Sequence, residues 1–316
     1  MAYQRADVSW LRNCPYGLSV HWTAHSKPRH GAALPFAEAV ARFALDDLVG
    51  QVTASGARYV IFTITHALQM IPAPCAPLDG ILPGRTAERD LLGELAEALA
   101  RRGIGLILYY NHSCNSADDP AWEQAVGYHV WPKERFFANL AAIVGCLGER
   151  YGELVKGWWF DSSYSVDRRG PHCSVTCDLR DWLFPWEEYT RVAKRGNPER
   201  LVTYNAGVNQ TYLYTDHQDY WAGEMVDLDH PPAAPTLASG LPWHGWTCLD
   251  DRRWVHSRPD TEIPPPLYTD EQLVAFLRAC RRQRGPMCFN VGIYQDGRLA
   301  PAAVDQLARV GRALAE

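Results

Sequence analysis

The 316-residue chain has no CxxC pair among its nine cysteines, no stretch of transmembrane length, no apolar segment behind a basic start in residues 1–10, and no repeat of 20–50 residues. Each absence excludes something. Zinc-ribbon and thioredoxin-like readings lose their paired cysteines. Without an apolar core the first residues do not read as a secretory signal. Without a run of about twenty apolar residues no membrane helix is expected, and without a repeat the solenoids and propellers are set aside. An excess of basic charge is missing too. The 31 Lys and Arg against 36 Asp and Glu leave a net charge of -5, the wrong sign for a protein that neutralises nucleic-acid phosphates. An odd number of cysteines with no secretory signal fits reduced thiols and a cytoplasmic location. The one close pair, Cys173 and Cys177 beside His172, lacks the second pair of a metal site, so neither metal nor cofactor is expected.

What is present is an ordinary globular composition, 47% hydrophobic, with twelve Trp and fifteen Tyr. Flat aromatic faces suit the C–H faces of sugars, although most such rings simply fill cores. The length accommodates one elaborated α/β barrel, so residues 1–316 are read as one domain. Short runs rich in β-branched and aromatic residues alternate with helix-period segments throughout, which is the βαβ pattern. Strands are expected over 17–21, 58–65, 105–110, 157–160, 201–205 and 287–291, and helices over 46–55, 89–102, 186–195 and 273–284. A further helix carries Phe136, Phe137, Leu140, Ile143, Val144 and Leu147 on one side, and Pro301 starts the last one. The Pro-rich stretches 231–235 and 264–266 are loops, too short to be interdomain linkers. The expected fold is a (β/α)8-like TIM barrel.

Polar residues recur at the strand ends: His21, Thr65 with His66, Tyr109 with Tyr110 and Asn111, Asp161, Asn205 and Glu224. In a (β/α)8 barrel these ends share one mouth. One polar end reads as a loop cap, but six in register predict a pocket. Asp161 stands out because it directly follows the largely apolar run 155–160, which predicts a rigid, partly desolvated carboxylate. That suits a nucleophile attacking an anomeric carbon, with a second carboxylic acid protonating the departing oxygen; Glu224 is the candidate. Such a pair should lie about 5 Å apart, against roughly 6.5–9.5 Å for an inverting pair. Glu224 should hold its proton, with burial beside Trp221 raising its pKa.

The order of motifs resembles the α-L-fucosidase family of retaining glycoside hydrolases over nearly the whole chain. Residues 10–22, ending His21-Trp22, resemble the family's opening strand, which contributes a sugar-binding His. Residues 56–66 resemble its second strand, and 89–110 its helix and third strand, whose Tyr109-Tyr110 end reaches the sugar. Trp159-Phe160-Asp161 matches the nucleophile strand. Phe289-Asn290-Val291-Gly292, followed by Asp296-Gly297 and Pro301, looks like the last strand, turn and helix. Asp219 to Glu224 fits the Asp-aromatic-x-x-small-Glu segment that carries the acid/base in one subgroup, and Trp246 resembles the Trp of the following strand.

The departures bear on the substrate. The family's second strand ends His-His-Asp-Gly-Phe, whereas this one reads His66-Ala67-Leu68-Gln69-Met70. An acidic Glu-Trp-Tyr segment is not recognisable around 28–36, Asn205 stands where some members have Arg, and Thr247 where Glu is usual. The family's C-terminal β-sandwich is not expected here. Because a site built to hydrogen-bond a hydroxyl rejects analogues lacking it, these changes imply a different sugar or a different orientation. His25, Arg29, His30, Asn111, His112 and Asn115 lie in loops that can supply replacement contacts. The resemblance therefore implies a retaining, exo-acting hydrolase of a terminal α-L-fucosyl or related sugar. Asp161 and Glu224 are its catalytic pair, and His21, Trp22, His66, Tyr109, Tyr110, Asn111, His112, Asn205 and Trp246 bind substrate. The alternatives are a non-catalytic sugar-binding barrel and a transglycosylase acting on a different sugar. The expected partner is a carbohydrate or glycoside, not nucleic acid or membrane, and a homo-oligomer is left open.

Overall fold

A computed structural model describes residues 3–114, 119–250 and 253–315. Seven parallel strands form one curled sheet: β1 (Gly17–Val20), β2 (Tyr59–Thr65), β3 (Gly105–Asn111), β4 (Val155–Asp161), β5 (Leu201–Tyr204), β6 (Gly245–Cys248) and β7 (Met287–Asn290). Their order is β5-β4-β3-β2-β1-β7-β6, so each consecutive pair from β1 to β5 is adjacent and β7 returns to β1. Helices occupy the crossovers, among them Leu45–Ser55, Leu91–Ala100, Glu134–Tyr151, Asp270–Arg282 and Pro301–Ala315. Their ends are set locally. Asp90 accepts the Gly93 amide at 2.9 Å, Thr269 and Gln272 form a reciprocal capping box, and Gly56 stops its helix in the left-handed conformation at φ 83°. Among the described residues no helix is long and apolar enough to cross a membrane.

Among the described residues the expected eighth strand does not form as a regular element, and residues 219–225 take its place between the sheet's two edges. On one side the Asp219 amide donates to Val202 O at 2.8 Å, while the Val202 amide donates to the Asp219 side chain at 2.8 Å. On the other, the Trp246 amide donates to Gly223 O and the Met225 amide to Trp246 O, both at 2.8 Å. A side-chain acceptor standing in for a carbonyl, and Gly223 at φ 74°, prevent a regular ladder from forming here.

Strands buried on both faces alternate between two cores. Tyr59, Ile61, Ile107, Tyr109, Trp159, Leu201, Tyr220, Ala222, Trp246 and Cys288 fill the inside, joined by Val8 and Leu11 of the N-terminal segment. Val60, Phe62, Leu106, Leu108, Trp158, Phe160 and Val202 point outward into the helical layer. The N-terminal segment packs at the strands' starting end, where Trp10 lies against Gly105. That leaves the C-terminal strand ends as the open mouth.

Candidate active site

Asp161 is the last residue of β4, and the chain turns away immediately because Ser162 adopts a left-handed φ of 59°. The β3–β4 register sets Asn111 directly beside it. Asn111 Nδ2 donates to Asp161 Oδ2 at 2.8 Å, and Tyr109, two residues earlier on the same face, donates its hydroxyl to the same oxygen at 2.5 Å. Asn205, just past β5, donates Nδ2 to Oδ1 at 2.9 Å. Three neutral donors thus hold both oxygens of this carboxylate in place without adding charge.

The same Asn205 nitrogen donates to Glu224 Oε2 at 2.6 Å. Glu224 is buried and its pKa is pushed up to about 8, first by burial and then by the Asp161 charge, with the Asn205 bond working the other way. Trp221 packs in the outer core, 6.1 Å from Trp243. Tyr164, on the short turn after β4, has its phenol pKa raised by the Asp161 charge, by burial and by Glu224.

Beside the pair lies a group of rings. Trp246 stacks on Trp254 at 4.5 Å and 7°, and Tyr109 on Trp159 at 5.0 Å and 12°. His21 stands edge-on to Tyr109 at 4.8 Å and to His66 at 5.2 Å. His21 Nδ1 meets Asn290 Oδ1 at 2.8 Å. Since Asn290 Nδ2 donates to Trp254 O at 3.3 Å, its oxygen is the acceptor and His21 Nδ1 carries the hydrogen. Burial, then the His66 charge, lower the His21 pKa to about 3 against the Asn290 bond. The neutral ring is left with a bare Nε2. That atom and Trp246 Nε1 are both buried and without a protein hydrogen-bond partner.

Of the residues expected to bind sugar, His21, His66, Tyr109, Asn111, Asn205 and Trp246 therefore converge with the two carboxylates. Three do not. Tyr110 faces the outer core, 6.2 Å from Phe160. His112 is stacked on Phe160 at 6.1 Å with Nε2 at 3.3 Å from the Tyr189 hydroxyl, and burial lowers its pKa to about 4. Trp22 packs on Phe43 at 5.0 Å and donates Nε1 to Gln295 O at 2.9 Å. Each follows an inward-facing residue and is turned out by the pleat. In the loops, Arg29 pairs with Glu262 at 2.7 Å on the surface, His30 is exposed 3.9 Å from Asp260, and His25 is half-buried. Asn115 lies outside the described residues.

The sequence reading quoted Trp159 and Asn290 only as motif residues, not as site residues, and passed over Tyr164 and Trp254. Asn290 alone had a visible signal, as the polar end of the last strand. Among the described residues no group of three or more His, Cys, Asp or Glu side chains is arranged to hold a metal ion. The large groove lined by Trp10, Arg58, Gly105 and Lys156 is at the opposite end of the strands, away from Asp161 and Glu224.

A buried acid with a raised pKa beside a second carboxylate is the arrangement that glycosidic bond cleavage calls for, and by fold and chemistry the protein is a glycoside hydrolase. It belongs to the α-L-fucosidase family, whose model, described as Alpha-L-fucosidase, matches residues 37–316. No match was found among curated proteins. Among solved structures the chain is similar to α-L-fucosidase isoenzyme 1 from Paenibacillus thiaminolyticus, at 18% identity and TM-score 0.68 over 98% of this chain and 75% of that one. It is similar to α-L-fucosidase AlfC from Lactobacillus casei in complex with α-L-fucose product, at 14% identity and TM-score 0.66 over 98% of each chain. Endo-fucoidan hydrolase MfFcnA4, from glycoside hydrolase family 107, shares 17% identity and TM-score 0.69, with 97% of this chain but 54% of that one covered.

Proposed function

We propose that the protein hydrolyses a terminal α-L-fucosyl or closely related glycoside with retention, Asp161 serving as nucleophile and Glu224 as acid/base. The observation that carries this is the shared donor. A nitrogen 2.9 Å from Asp161 Oδ1 and 2.6 Å from Glu224 Oε2 cannot leave those oxygens further apart than the sum of the two distances, about 5.5 Å. This upper bound fits the roughly 5 Å separation of retaining pairs better than the roughly 6.5–9.5 Å of inverting ones. In the first step an Asp161 oxygen bonds to the anomeric carbon while Glu224 passes its proton to the departing oxygen. In the second, Glu224 takes a proton from water, whose oxygen displaces Asp161 from the same carbon and restores the starting carboxylates.

His21 Nε2 can only accept and Trp246 Nε1 can only donate, so together they suit one sugar hydroxyl, which does both. The stacked Trp246 and Trp254 offer an adjacent apolar face. The changed loop after β2 supports a sugar other than, or bound differently from, plain fucose. Gln69 is turned inward, donating to Asn111 O at 2.7 Å, and its amide is held by Asp119, whose partner is Arg85 at 2.9 Å. Nine free thiols fit a cytoplasmic setting.

The test is the configuration of the first-formed sugar, followed by proton NMR with 4-nitrophenyl α-L-fucopyranoside and its α-L-galactosyl and β-D-arabinosyl analogues as donors. The α-anomer is expected first from an α-glycoside. Prompt release of the β-anomer would overturn the double displacement, and hydrolysis confined to a non-fucosyl donor would move the substrate assignment.

A further inference from the structure

We propose that Asn205 is a positioning residue whose single Nδ2 donates to both carboxylates at once, fixing their separation with an uncharged group. The proposal rests on the double-displacement reading of this pair, but its geometry stands independently. Two separate hydrogen bonds from one atom need two hydrogens on it, whereas Ser or Thr would have to share a single one. Lys and Arg have the hydrogens but also a full charge, which adds a cation to the pair and favours both carboxylates as anions. Only a carboxamide supplies two N–H bonds without charge.

The amide is locked in the required orientation. Asn205 Oδ1 accepts from the Gly207 amide at 3.1 Å, so exchanging oxygen and nitrogen would break three bonds together. Gly207 holds its place at φ 106°, where a side chain would be strained and would press on the His172 ring. The Asn205 backbone amide donates to Phe160 O at 2.8 Å, continuing the β4–β5 pairing one residue beyond β5. Asn205 itself is 2% exposed, so water does not compete for either bond.

The other titratable groups facing the pair are Tyr109 from β3, Tyr164 from the turn after β4 and, behind Asp161, His112. His21 and His66 stand beyond Tyr109. Among the described residues no lysine or arginine bonds to either carboxylate. The two-carboxylate charge balance is therefore set by neutral donors, and Asn205 is the one donor the two acids have in common.

The experiment is a carbon NMR titration of the full chain labelled at the carboxyl carbons, with the Asp161 and Glu224 signals assigned from Asp161→Asn and Glu224→Gln. The pair is read as two apparent steps. In Asn205→Ala both steps should move up, each by about one pH unit, because each anion has lost a donor. Asn205→Asp should move the upper step further, by adding a third negative charge. Asn205→Ser, with one hydrogen, should move a single step, and it carries the test where circular dichroism shows Asn205→Ala unfolded. In hydrolysis of 4-nitrophenyl α-L-fucopyranoside the limbs of kcat/KM should shift the same way, with kcat falling at least about tenfold and KM little changed. Folded variants whose two steps stay at wild-type positions would overturn the proposal, whatever their activity. A wild type that inverts, or leaves the fucoside untouched, would sink the assigned reaction and not this role, since the titration needs no substrate.

Discussion

At the scale of single residues, two carboxylic acids in one site are given different surroundings by their donors. Asp161 accepts three hydrogen bonds, whereas Glu224 accepts one and is buried against the Asp161 charge. Asp161→Asn keeps the shape and removes the attacking oxygen anion. Turnover of an activated aryl glycoside should fall by on the order of a thousandfold or more, and near wild-type rates would mean another nucleophile. Glu224 also sets a pH dependence whose sign follows from its pKa of about 8. Activity should fall along an alkaline limb near that pH as the acid loses its proton. The folded state binds this proton more tightly than the unfolded chain, so its contribution to stability is fully present below the ordinary Glu pKa and is lost as pH rises towards 8. Glu224→Gln should accordingly melt above wild type at pH 8, with the gap closing near pH 4. Thermal melts at both pH values check this, and a gap of constant size would show that ionisation is not its cause.

At the scale of elements, the irregular segment 219–225 decides where the acid stands. Asp219 ties its beginning to β5 and to Lys194 at 2.9 Å, and Gly223 brings its end against β6. A Cβ on Gly223 would collide with the His244 carbonyl, and its φ of 74° already disfavours a side chain. Gly223→Ala should therefore cost roughly 2–4 kcal/mol of stability. It should also displace the adjacent Glu224, lowering kcat/KM beyond what any unfolding explains. Denaturant titration alongside kinetics measures the two effects, and a variant with wild-type activity would show that the segment does not place the acid. The strands show the same dependence on phase. Tyr109 touches Asp161 while Tyr110 packs against the outer layer, although the two are chemically alike and adjacent. In a strand such as β2, buried along all seven residues, no polar and apolar alternation marks which face looks inward.

At the scale of the whole molecule, the two ends of the barrel-like sheet are separate tasks. The starting end is closed by the N-terminal segment, where Tyr3 and the Ala6 amide donate to Asp219 at 2.9 and 2.8 Å and Val8 joins the inner core. Deleting residues 1–8 should lower Tm by roughly 5 °C while leaving KM unchanged. Calorimetry and kinetics test this, and an altered KM would show that the closed end and the mouth are coupled. The alternating βα pattern and a carboxylate closing an apolar strand were legible in the sequence, because periodicity and strand ends are local properties of a chain. So was the family, because its motifs keep their order. Several things were not local. The inward phase of each strand, the replacement of an eighth regular strand by a kinked segment, and the arrival of Trp254 and Asn290 beside His21 all depend on which distant residues meet. The sequence by itself determined a parallel α/β chain with Asp161 and Glu224 as candidate acids. Only the tertiary structure decided that one amide nitrogen joins them, since their spacing and their protons are set by contacts between residues 44 and 19 positions apart.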